Sequence, residues 1–87
     1  MLSMRDCLDY CNLTDDEIEL IAEHEGIPDV VAAQMACGLV QTDEGTLLLT
    51  RCMESLLQRA QDEGQIDKLQ RAKAVYAQFV ADHPVPH

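Results

Sequence analysis

Aromatic residues are nearly missing: there is no Trp, and Tyr10, Tyr76 and Phe79 are the whole complement. β-rich domains build their cores from aromatic and β-branched side chains, so this chain has poor material for a sheet. Basic residues are scarce as well, six against sixteen acids, for a net charge of −10. Such a surface repels phosphate backbones and anionic headgroups, so neither nucleic acid nor a membrane is expected as a partner. No glycine-rich phosphate loop occurs, and the two serines, Ser3 and Ser55, stand in no nucleophile elbow. The start, Met1-Leu2-Ser3-Met4-Arg5-Asp6, lacks a basic segment leading into an apolar run. The longest nearly apolar stretch falls short of the roughly 20 residues that span a bilayer. Together these absences point to a cytoplasmic protein in which Cys7, Cys11, Cys37 and Cys52 are thiols.

What is present has helical spacing. Met4, Cys7, Leu8 and Cys11 fall on one face of a short first helix that Ser3 can cap and Asn12-Leu13 interrupts. Thr14 and Glu17 then form a capping box, Asp15 and Asp16 suit the positive helix end, and Leu13 can staple onto Ile18. This second helix is expected over 15–25, closed by Gly26 in the left-handed conformation. Pro28 opens a third helix at its first position, where the missing N–H costs nothing. From Pro28 to Val40 that helix is apolar almost all round, so it is expected to be surrounded by others. Ala32, Ala33, Ala36 and Gly38 would admit close neighbours. Thr42 can cap a fourth helix with a stripe of Leu49, Cys52, Met53, Leu56, Leu57 and Ala60, ended by Gly64. A fifth carries Ile66, Leu69, Ala72, Tyr76, Phe79 and Val80, and the residues 83–87 read as a tail that cannot continue it. The expected architecture is all-α: residues 1–82 form one domain, a compact bundle of four main helices plus a short N-terminal one.

Three motifs invite a functional reading. Ile21-Ala22-x-x-x-Gly26-Ile27-x-x-x-Val31 has the small residue, glycine and aliphatics of a helix-turn-helix-like packing unit. A DNA reader needs basic or amide groups on its second helix. Here that helix offers Asp29 and Gln34, and Glu17, Glu19, Glu23 and Glu25 would face the phosphates from the first. The packing unit stands; DNA binding does not.

Glu23, His24 and Glu25 offer carboxylate and imidazole donors that suit a transition metal such as Zn, Mn or Fe. Neighbouring residues on a helix point about 100° apart, so the three cannot converge on one ion. A site would need a ligand from elsewhere, such as His83 or another chain. Glu25 also falls in line with Ile18, Ile21 and Ala22, an odd place for a carboxylate. The simpler reading is a solvated acidic face. The cysteines divide likewise: Cys7 and Cys11 share a helical face as a metal or redox pair would, yet structural zinc usually takes two close pairs, and here one pair stands beside two singles. As small buried hydrophobes they would simply join the core.

The run Leu13-Thr14-Asp15-Asp16-Glu17-Ile18, with Ile21-Ala22-Glu23-His24-Glu25-Gly26-Ile27-Pro28 and Val31-Ala32-Ala33, resembles a group of small bacterial helical proteins without an established activity. The resemblance implies a bacterial cytoplasmic origin and an all-α fold. A second histidine often follows the Glu-His-Glu in that group, where this chain has Gly26, so no metal role carries over.

A chain of 87 residues in a tight bundle leaves little room for a water-excluding pocket, which argues against an enzyme. The function expected first is a non-catalytic interaction or accessory protein, forming a homo-oligomer or binding another protein. Its support is the apolar third helix, the surplus of Leu47-Leu48-Leu49, one of which must leave the stripe, and a lopsided charge. Residues 1–26 hold eight acids against Arg5, whereas residues 65–87 hold Lys68, Arg71 and Lys73 against two acids. The alternative is a metal-binding or thiol redox protein.

Overall fold

Five helices follow one another in the computed structural model: α1 (Met4–Tyr10), α2 (Asp15–Glu25), α3 (Asp29–Leu39), α4 (Asp43–Asp62) and α5 (Ile66–Asp82). The structure describes residues 4–85, and among them there is no strand. Ser3 as a cap, the side chain of Met4, and Pro86 and His87 of the tail lie outside the described residues.

The helix ends follow from local chemistry. Asn12 takes the left-handed conformation at φ 58°, and the Leu13 N–H closes back on the Leu8 carbonyl at 2.8 Å, ending α1. Thr14 caps α2 through its hydroxyl, which accepts from the Glu17 N–H at 3.2 Å. Gly26, at φ 68°, ends α2, with the Ile27 N–H on the Ala22 carbonyl at 3.0 Å. Thr42 caps α4 by accepting from the Gly45 N–H at 3.0 Å. Pro28 is the cap residue of α3, in extended conformation, one place earlier than the sequence suggests.

The main core joins Leu8, Leu13, Ile18, Ile21, Ala22, Ala32, Ala33, Ala36, Leu49, Met53 and Phe79. Phe79, Ile21 and Leu49 are essentially sealed from solvent, and each such side chain contributes about 1.5–3 kcal/mol by leaving water. A second cluster of Leu20, Leu56, Ala72 and Val75 ties α2 to the α4–α5 hairpin. Here Val75 supplies an anchor of α5 that the stripe read from sequence omits, while Ile66 and Val80 are exposed.

The third helix departs from expectation. Helices α1, α2 and α4 pack on it, and its alanine face, Ala32, Ala33 and Ala36, is buried. The opposite side is not covered: Val30 and Val31 are 46% and 43% exposed. A short-chain bundle has too few helices to enclose one of its own, so α3 is a half-buried wall. Gly38 is not a point of close approach, because a Cβ there would meet nothing. Gly45 is: a Cβ on it would lie 2.0 Å from the Leu39 carbonyl oxygen, where the α3–α4 connection crosses the first turn of α4.

Candidate functional site

The last turn of α2 carries Glu23, His24 and Glu25, and the structure parts Glu23 from the other two. Glu23 turns to α5 and forms an ion pair with Lys68, which holds its carboxyl below the usual range. Glu25 continues the buried side of α2 past Ile18, Ile21 and Ala22, and so reaches α4. There the Cys52 thiol donates to Glu25 Oε1 at 3.5 Å. His24 completes the group: one donor atom each from His24, Glu25 and Cys52 lie within 4.8 Å of one another. No other group of three or more His, Cys, Asp or Glu side chains comes together in this way among the described residues.

Cys52 is the member that motif spacing missed. It lies 27 positions beyond Glu25 in sequence, and only the packing of α2 against α4 makes them neighbours. The signals that could have found it are the carboxylate in line with an apolar face and the thiol within a buried stripe. Burial pushes the Cys52 thiol up to about 11, with the neighbouring Glu25 carboxylate adding to the effect. At that value the thiol is protonated at neutral pH. Imidazole, carboxylate and thiol are three different metal donors, and here they come together from two helices.

His24 also borders a polar cleft of about 160 Å³, shared with Arg59, Glu63 and Lys68. The site is therefore reachable from solvent, with Glu25 exposed and both His24 and Cys52 half-buried.

His83 lies elsewhere. Its ring stacks on Phe79 with centroids 4.6 Å apart. Its Nε2 lies 2.8 Å from the Cys11 carbonyl oxygen, and its Nδ1 lies 3.2 Å from that of Phe79. Both nitrogens thus face backbone acceptors, which makes His83, just past α5, a clasp between the end of that helix and the α1–α2 turn.

The other three cysteines meet between α1 and α3. The Cys11 thiol faces the Cys37 carbonyl at 3.9 Å, and the Cys37 thiol faces that of Cys7 at 3.8 Å. Gln41 closes over them, donating to the Cys37 carbonyl at 3.2 Å. Burial, with the nearby Cys11 and Cys7 thiols, raises Cys37 to about 12, so it stays protonated at neutral pH. All four cysteines are free.

Fold and site together describe a small all-α protein with, among the described residues, one mixed-donor cluster at the end of α2. No family model, curated protein or solved structure was found to match the chain.

Proposed function

We propose that this protein is a non-catalytic interaction module that associates with a second copy of itself. The observation that carries this reading is an apolar face on the α4–α5 hairpin. Leu47 and Leu48 are 37% and 59% exposed and Val80 is 40% exposed. Leu47 and Val80 share a shallow groove of about 220 Å³ with Tyr76, Val85, Arg51 and Glu54. Exposed apolar groups gathered at one groove mark contact surfaces. The same groove holds one positive and one negative side chain, Arg51 and Glu54, three residues apart on α4. In a two-fold interface each can face its opposite on the other copy, the self-complementarity that isologous contacts require.

The lopsided charge along the chain does not add to this reading, because it is answered within one molecule. Lys68 meets Glu23, and Arg71 lies 3.1 Å from Glu19 and 3.6 Å from Asp16. The free thiols suit a reducing compartment such as the cytoplasm. No described helix is long and apolar enough to cross a membrane.

Light scattering across a concentration series tests the proposal. The expected result is a mass that rises toward the dimer, and a Leu47→Glu variant, altered inside the groove, that stays monomeric at every concentration. A strict monomer at the highest concentration reached overturns self-association, as does a dimer indifferent to Leu47→Glu together with Val80→Glu.

A further inference from the structure

We propose that His24, Glu25 and Cys52 form a zinc site joining the end of α2 to α4. Donor chemistry selects the metal. Imidazole with thiolate favours zinc over magnesium or calcium, which take oxygen donors, and three protein donors leave one position of a tetrahedral ion for water. Zinc–ligand bonds of about 2.0–2.3 Å place the ligands of a tetrahedral ion about 3.4–3.7 Å apart. The Cys52 Sγ to Glu25 Oε1 separation of 3.5 Å already falls in that range. The rest of the trio lies within 4.8 Å, so closing on an ion asks His24 for a shift of about 1 Å. His24 is half-buried and Glu25 is exposed, so side-chain rotation suffices without moving a helix.

Two further features favour a cation here. The site sits at the C-terminal end of α2, where unpaired carbonyls carry the negative end of the helix dipole. The α2 surface around it is acidic, and of the two basic residues lining the cleft beside His24, Arg59 and Lys68, Lys68 is paired with Glu23. Binding exchanges the thiol proton of Cys52 for the metal, releasing that proton to solvent and forming a Zn–S bond with no change in oxidation state. The carboxylate that now accepts from the thiol becomes a second ligand.

Cobalt(II), a spectroscopic substitute for zinc, reads the site directly. Titrated into untagged, reduced full-length protein, it is expected to give a sulfur-to-cobalt charge-transfer band that one equivalent of zinc abolishes. Cys52→Ser should remove the band. Glu25→Gln, a change at an exposed position, and His24→Ala should each weaken affinity by about tenfold or more, while Glu44→Gln, about two turns from Cys52 on α4, leaves it unchanged. Circular dichroism of each variant verifies that it is folded. No band with the intact protein overturns the proposal, and so does a band that survives Cys52→Ser but disappears in Cys37→Ser, which places the metal at the α1–α3 thiols.

Discussion

Glu17 occupies the least comfortable position in the molecule. It is fully buried, and neither carboxylate oxygen has a hydrogen-bond partner. The capping box is therefore half made: Thr14 accepts from the Glu17 N–H, while the return bond from the Glu17 side chain to Thr14 is not completed. Burial raises the Glu17 carboxyl above its ordinary 4.5, opposed by the closeness of Thr14 and the charge of His83. A carboxyl raised on folding binds its proton more tightly in the folded state. Its stabilising contribution is whole below the unfolded value and is lost as pH rises through the folded one. Glu17→Gln keeps the shape, removes the charge and retains the residue type a capping box accepts. It is expected to stabilise the protein at pH 7 by removing the buried charge, the amide still lacking the partners that the carboxylate lacks. Urea unfolding of both proteins checks this: the gap should grow from pH 4.5 upward, and an equal gap at every pH would assign the effect to packing.

Among the elements, the α3–α4 junction separates two glycines that look alike in sequence. An added methyl at Gly45 meets the backbone of Leu39, with the oxygen at 2.0 Å, the carbonyl carbon at 2.7 Å and Cα at 2.8 Å. Backbone cannot rotate away as a side chain can, so the first turn of α4 would have to lift. Overpacking of this kind costs about 1–3 kcal/mol, against roughly 1 kcal/mol gained because alanine favours a helix over glycine. Gly45→Ala is thus expected to destabilise by up to about 2 kcal/mol, the difference of those two magnitudes. Gly38→Ala faces open space and should stabilise by about 0.4–1 kcal/mol. Opposite shifts in melting temperature check the pair. Helix ends were legible because Thr14, Gly26, Thr42 and Gly64 act on their own neighbours in the chain. What depends on helices meeting was not: the exposed side of α3, the Gly45 contact, Val75 as an anchor, the docking of His83, and Cys52 beside Glu25. Each is set by which faces pair in space, and residue spacing along one helix carries no record of its partner.

For the whole molecule, charge and size decide together. A net charge of −10 sits on a body with a radius of gyration of 12.6 Å. At about 0.01 M salt the Debye length is roughly 30 Å, so every acid repels every other; at about 0.15 M it is roughly 8 Å and most of that repulsion is screened. Salt also weakens the ion pairs of α2 with α5, Lys68 with Glu23 and Arg71 with Glu19 and Asp16. Those pairs are exposed, each is worth about 0–1 kcal/mol, and they involve two of the six bases. Repulsion among sixteen acids should outweigh them, because folding crowds those charges together and unfolding spreads them. Raising sodium chloride over this range is therefore expected to raise the melting temperature by a few degrees, on the scale of about 0.5–1 kcal/mol for a domain of this size. Thermal melts at several protein concentrations separate this from self-association, which the same screening also promotes. Intramolecular screening gives the same shift at every concentration, whereas a dimer gives one that grows with it. A melting temperature that falls with salt at low protein concentration would show that the α2–α5 pairs, few and exposed as they are, outweigh the repulsion of the whole surface.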